Sequence, residues 1–395
     1  MTATPLTPDA AAHTARTAVS AVFFQQGLLV GGWALQIPLL LTRLGITETT
    51  LGLLIVVFGL GSVVSMLACG PVIDRRGSAR LTGWAALGAA FFLPAIALAP
   101  GLWSTALAAA LAGITIGVAD LAMNANAVVV ERRHGRAIMS SFHAWWSLGA
   151  LVGALVSGWV IVKIGGLGHT LLFGVLALGL ALYAAPRVAR DAPAADATPT
   201  PFKVPTALVV WLLGATTLFA YVPEGAVIDW SAIYVQAEVG VPLSLAGLAV
   251  ASLSATMTVM RFLGDRVRDR LGAFNVLVWG GVIAGAGFML GGAAGLDALD
   301  GWSWGARAAL VVAGFVVAGL GLANIVPVAF VQAGNLPGVP SGVALSFVAM
   351  SGYGGILLAP SVLGWIGERT GFAPLFMALA AMPFAVAAMA ARITR

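Results

Sequence analysis

Gly70-Pro71-Val72-Ile73-Asp74-Arg75-Arg76-Gly77-Ser78-Ala79-Arg80 is a short polar stretch between two long uncharged apolar runs, residues 50–69 and 81–99. The pattern predicts two membrane helices joined by a basic cytoplasmic turn. A degenerate second copy follows at Gly264-Asp265-Arg266-Val267-Arg268-Asp269-Arg270-Leu271-Gly272. Here Asp269-Arg270-Leu271-Gly272 lies 195 positions after Asp74-Arg75-Arg76-Gly77, close to half of the 395-residue chain. The same offset sets Leu51-Gly52 on Ala246-Gly247, so the chain reads as two parallel halves.

Composition agrees. Apolar residues make up 60% of the chain and charged residues 9%, against about 25% charged in soluble proteins. No soluble core absorbs that much apolar surface, so the expected class is an all-α polytopic membrane protein. The net charge of +5 is spread over short loops and signals topology rather than nucleic-acid binding. The single cysteine, Cys69, excludes an intrachain disulfide and a multi-cysteine metal site. No metal or cofactor is expected.

Twelve apolar segments follow a polar tail at 1–16, which reads as disordered: 17–41, 49–71, 80–99, 103–130, 138–162, 167–186, 206–235, 243–263, 274–295, 306–332, 341–366 and 372–391. Each is long enough to cross a core of ~30 Å. The Pro/Ala-rich stretch 187–205 reads as a linker between six-helix halves at 17–186 and 206–391, with a tail at 392–395. With the amino terminus inside, all Lys and Arg except Arg43, Lys163, Arg307 and Arg369 fall on the cytoplasmic side. This asymmetry sets both termini in the cytoplasm.

Chemistry is sought where the bilayer tolerates polarity least. Three acids fall inside spans: Asp120, Glu224 and Asp229. No Lys or Arg is expected deep in a span beside them. A lone carboxylate at depth must face water, find a partner or take up a proton, and burial favours the protonated form. All three are therefore proton-coupling candidates, with helix-packing acids as the alternative. Asp120 precedes Glu131 by 11 residues, which sets it ~16 Å inside the membrane, and Asn124 shares its face. Asn126 points elsewhere and reads as a helix bridge. His143 is a proton-relay or donor candidate with Trp146 and Ser147 one turn on. Glu224 lies between Pro223 and Gly225, where the helix is expected to kink or unwind. Asp229 reads as a gate or entrance residue. Gln25, Trp33 and Gln36 in segment 1, Asn124, Trp146, Asn324 and Tyr353 are substrate-binding candidates, since amides beside aromatics suit a hydroxyl-rich solute. Gly70, Asp74, Arg75, Gly77, Arg80, Asp269 and Arg270 form the gating-loop set. Gly70 is expected at a close helix approach, and Asp74 at the start of segment 11 near Ser341.

The loop pattern Gly-x-x-x-Asp-Arg-x-Gly-x-x-Arg resembles that of the major facilitator superfamily. Asp120-x-x-x-Asn124, Val130-Glu131-Arg132, His143 with Ser147-Leu148-Gly149, Glu224-Gly225-x-x-x-Asp229-Trp230 and Arg261-x-x-Gly264 look like its YbjJ-like branch. That branch is grouped with fucose-permease-like bacterial proteins. The resemblance implies twelve helices, a central cavity, alternating access driven by an ion gradient, and a multi-pass place in the bacterial inner membrane. Drug/proton antiporters of the superfamily carry an Arg in segment 4 and a Gly-Pro pair in segment 5. Residues 103–130 contain no Arg and residues 138–162 no Pro.

The expected function is a proton-coupled secondary transporter, not an enzyme, that acts as a monomer on a small polar organic solute such as a sugar. The alternative is proton-antiport export of drugs or amphipathic metabolites. A sensor would need an output domain that no loop has room for. No Walker-type stretch supports an ATP-driven pump.

Overall fold

We describe a computed structural model of the protein over residues 10–135, 138–191, 206–337, 339 and 341–394. Apart from two short 3₁₀ turns, its regular structure there is α-helix: α1 (Ala10–Leu44), α2 (Glu48–Arg76), α3 (Ala79–Ala89), α4 (Phe92–Leu98), α5 (Leu102–His134), α6 (Met139–Ala184), α7 (Leu208–Ala237), α8 (Leu248–Ala293), α9 (Trp304–Leu322), α10 (Ile325–Gly334), α11 (Ser341–Thr370), α12 (Phe372–Leu379) and α13 (Ala381–Ile393). Among the described residues, 11 helices are long and apolar enough to cross a membrane. One of them, within α6, is interrupted at Gly165, where φ is 77°. α8 turns in the same way at Gly272, where φ is 75°.

The sequence expectations shift at several boundaries. The tail expected to be disordered through residue 16 is helical from Ala10, because its alanines favour helix and Ala12 and Ala15 are buried. Residues 1–9, most of the expected linker (192–205) and Arg395 lie outside the described residues. The polar stretch expected as a turn is largely helix. α2 runs to Arg76 and only Gly77 and Ser78 separate it from α3, since arginines are good helix formers. Gly77 has φ 79°, and a side chain there would sit 2.8 Å from Asp191 O. α7 is continuous helix through Pro223, where a kink or unwinding was expected. A proline removes only one backbone bond, and the bonds on either side keep the helix continuous.

α1 packs along α6, α2 along α5, α7 along α11 and α8 along α9. Small residues set these approaches: a Cβ at Gly27 would lie 1.9 Å from Trp146 O, and one at Gly113 1.9 Å from Phe58 O. The α1–α6 and α7–α13 bundles meet through α2 on α11, α6 on α8 and α1 on α7. Gly77, Gly272 and both described ends of the chain lie on one face, here the turn face. The opposite face is the distal one.

Helix ends are closed by charged side chains. Asp191 accepts bonds from Ser78 N at 2.6 Å, Ser78 Oγ at 2.8 Å and Ala79 N at 3.1 Å, capping α3. Asn126 donates to Ser78 Oγ and Ala189 O, both at 2.8 Å, and accepts from Ala189 N at 3.0 Å. It is the expected bridge. Glu131 caps α6 through Ile138 N and Met139 N, both at 2.7 Å. On the distal face Arg43 donates to the carbonyls of Ile96, Ala97 and Ala99. Arg307 likewise donates to Ala294 O and Glu238 O.

Candidate functional site

A cavity of about 830 Å³ lies between the two bundles. Nine of the sequence candidates line it: Trp33, Asp120, Asn124, His143, Trp146, Glu224, Asp229, Asn324 and Tyr353. The rest of its wall is mainly apolar, with Leu54, Ile55, Phe58 and Phe92 on the α1–α6 side. Phe92 stands 5.7 Å from Trp33 and 5.5 Å from Phe58 between ring centroids.

Asp120 and Asp229 each accept a bond from the opposite bundle, and Glu224 holds the arginine that makes a third crossing. Asp120 on α5 accepts from Tyr353 Oη on α11 at 3.0 Å. Its other oxygen lies 3.4 Å from Asn124 Nδ2, which also bonds Asp120 O at 2.8 Å. The i, i+4 spacing of Asp120 and Asn124 makes that pairing. Tyr353 stacks near Tyr221, with centroids 6.4 Å apart. Asp229 on α7 accepts from Trp33 Nε1 on α1 at 3.4 Å. Glu224 on α7 pairs with Arg261 on α8 at 3.4 Å, the side chains 12% and 14% exposed. Arg261 then reaches across to Ser147 Oγ on α6 at 2.6 Å.

Arg261 corrects the expectation that no basic residue lies deep in a span. It was counted with the polar turn, but α8 continues past it to Gly272, 11 residues or ~16 Å further on. The 195-residue offset carried the signal: it aligns Arg261 with Met66, inside the second apolar run. Arg268 lines the cavity as well.

The other candidates divide. His143 is exposed to the cavity and stands edge-on to Phe23 at 5.3 Å. Asn324 is buried, with its Oδ1 2.5 Å from where a Cβ of Gly264 would stand. Gln25 and Gln36 do not line the cavity. Gln25 is buried and its amide nitrogen donates to Ala86 O at 2.8 Å and Ala177 O at 2.9 Å. Gln36 donates to His169 Nδ1 at 2.7 Å, and His169 Nε2 then donates to Ser157 Oγ at 2.7 Å. Both glutamines hold α1 to its own bundle. Among the described residues, no cluster of His, Cys, Asp and Glu fits a metal ion.

The bundles touch closely on the distal side. Thr49 N donates to Glu368 Oε2 at 3.1 Å, joining α2 to α11. A Cβ at Gly52 would lie 2.7 Å from Ser361 Cα, and one at Gly247 2.0 Å from Ala154 O. Toward the turn face, a Cβ at Gly70 would meet nothing within 4 Å among the described residues. Among the described residues, none stands against Gly70 in this conformation. Arg75, Arg80, Asp269 and Arg270 are exposed there. The side chains of Asp74 and Ser341 lie outside the described residues.

The Major Facilitator Superfamily model matches residues 22–335. The chain belongs to this superfamily. An uncharacterized MFS-type transporter of Yersinia pestis is 31% identical over 94% of each chain. The uncharacterized transporter y4wD of Sinorhizobium fredii is 32% identical, over 89% of this chain and 90% of its own. Membrane protein MosC of Rhizobium meliloti is 28% identical over 94% of this chain and 88% of its own. Among solved structures, a mutant of the nucleoside transporter NupG superposes with a TM-score of 0.78 at 13% identity, covering 96% of this chain and 100% of that one. A second NupG structure gives 0.72 at 15% identity, over 96% and 98%. The NupG likeness shows a shared facilitator fold. Membership makes the chain a multi-pass membrane transporter.

Proposed function

We propose that this facilitator is a proton-coupled secondary transporter that moves a small polar organic solute across the bacterial inner membrane by alternating access. In this reading the stretch broken at Gly165 counts as two spans. The protein then has twelve, in halves at 17–186 and 206–391, with both termini cytoplasmic, and it works as a monomer of the YbjJ-like branch. The conformation described is open to the cytoplasm.

One observation carries the reading: Asp120, Glu224 and Asp229 converge on one cavity, and each bears on a contact that joins the bundles. A carboxylate that loses its charge gives up a charge-assisted bond, so protonation changes how strongly the halves hold together. Asp120 and Asp229 lack a cationic partner among these contacts and are the proton carriers. Glu224, neutralised by Arg261, binds solute together with Asn124, Trp146 and Tyr353.

The test is reconstitution in liposomes with a trapped pH dye and a panel of solutes. Solute entry that acidifies the lumen supports symport. Solute movement without any proton movement overturns the coupling. A second reading, proton-antiport export of amphipathic compounds, is favoured by the apolar wall of Leu54, Ile55, Phe58 and Phe92. It predicts the opposite sign of the pH change.

A further inference from the structure

A second, smaller void of about 110 Å³ lies inside the α1–α6 bundle near the distal face. Its walls are Gln36, Leu39 and Arg43 of α1, Leu93 and Ala97 of α4, and Gly166 and Leu167 of α6, together with three residues it shares with the central cavity. Those three are Trp33, Leu40 and Ile96. The two voids are therefore separated by a wall one side chain thick. Trp33 is the large member of that wall. It is held by its Nε1 bond to Asp229 and by Phe92 at its face.

The void suits water. At ~30 Å³ per molecule it holds about three. Polar groups are present in its wall: the Gln36 amide, and Arg43, which is exposed at the distal mouth. The ionisable groups around Trp33 are Arg43 on its own helix, Asp229 on α7, and His169 on α6 behind Gln36. None comes from α4. Arg43 is tied to the carbonyls of Ile96, Ala97 and Ala99, which fixes the rim of the void.

We infer that Trp33 is the plug of a side portal through the α1–α6 bundle, by which water from the distal face reaches the central cavity at Asp229 while the two bundles stay closed. This route runs between α1, α4 and α6. It is distinct from the parting of α2 from α11 that opens the solute path. The inference concerns access alone and does not depend on proton coupling.

The experiment uses the full chain with Cys69→Ser and a reporter cysteine in place of Ile228, which lines the central cavity. Thiol labelling is driven from the distal face with two impermeant reagents. One is the narrow 2-(trimethylammonium)ethyl methanethiosulfonate, and the other is a maleimide carrying a bulky polyethylene glycol chain. With the plug in place, distal labelling is limited to the minor population of opened molecules. Trp33→Ala is expected to raise the narrow reagent's rate about tenfold or more and to leave the bulky reagent's rate unchanged. Trp33→Phe, which keeps a ring but loses the bond to Asp229, is expected to label as the parent does. Leu40→Ala thins the same wall without touching Asp229 and is expected to raise the narrow reagent's rate in the same direction. A parallel rise for both reagents would mean the bundles have parted and would overturn the portal. So would no rise in either alanine variant, or a Trp33→Phe rate equal to that of Trp33→Ala.

Discussion

Replacing Arg261 by Met removes the cation beside Glu224 while keeping much of the side chain's length. At 3.4 Å and an effective dielectric of ~20, the gross attraction is about 5 kcal/mol. Breaking a buried pair by removing one partner costs ~3–5 kcal/mol, because a charge is left unpaired. Both side chains retain some access to the cavity, so the net loss is expected at about 2–3 kcal/mol. In thermal unfolding this lowers the midpoint by roughly 3 °C. The assay is reaction of a fluorogenic maleimide with Cys69, the single and buried thiol. Glu224→Gln alone should cost less, because Arg261 keeps its bond to Ser147 Oγ at 2.6 Å. The double variant, with no charge left to strand, should melt above Arg261→Met. Strictly additive losses, with a coupling energy below about 0.5 kcal/mol, would refute the pair as an energetic unit.

Further outcomes follow from the same geometry. Asp120→Asn is expected to abolish accumulation against a gradient while retaining counterflow exchange; accumulation at the wild-type rate would remove Asp120 from the coupling scheme. Glu368→Gln removes the charge that accepts from Thr49 on the distal face, and the open-to-closed ratio is expected to rise, readable as faster distal thiol labelling in the central cavity. Gly113→Ala forces a methyl into Phe58 O and should cost ~1–3 kcal/mol, whereas Gly179→Ala, with nothing within 4 Å, should leave the melting midpoint unmoved or slightly raised. Asp191→Ala removes three bonds from the start of α3 and should cost ~1–2 kcal/mol of stability, checked by the same thiol assay.

The sequence showed the helical plan and the acids more clearly than it showed their partners. Apolar runs give spans because length and polarity decide insertion, and these are one-dimensional properties. Asp120, Glu224 and Asp229 stood out because a carboxylate is conspicuous in an apolar run. Gln25 and Gln36 were misplaced for a physical reason. A shared helix face says which residues point the same way, but α1 is surrounded by protein, and its polar side chains find partners on α3 and α6 rather than in the cavity. Arg261 was missed because its charge was read as part of the neighbouring basic turn. Helical continuity from Gly264 to Leu271 is a backbone fact that the charge pattern hides. Of the exceptions to the charge asymmetry, Arg43 and Arg307 satisfy backbone carbonyls at helix ends. Arg369 lies 4.3 Å over the Trp365 ring and donates to Trp365 O.

The two proposed halves diverge at the positions that carry chemistry. Gly45 and Gly240, like Gly77 and Gly272, lie 195 residues apart, and all four take positive φ. The register of α1 and α2 against α7 and α8 is thereby set by the turns themselves. In that register Glu224 corresponds to Leu29, Asp229 to Ala34, Arg261 to Met66 and Trp33 to Ile228. Each of these four polar or aromatic groups stands where its counterpart is smaller or apolar. The Trp33–Asp229 bond shows why. Its symmetric copy would join Ile228 to Ala34, so the contact lies beside the axis that relates the halves. Two copies of an indole cannot occupy one place on such an axis, and two facing carboxylates would repel in a cavity of low dielectric. In the proposed two-half plan, sterics and charge therefore require the copies to differ along the seam where the site is built.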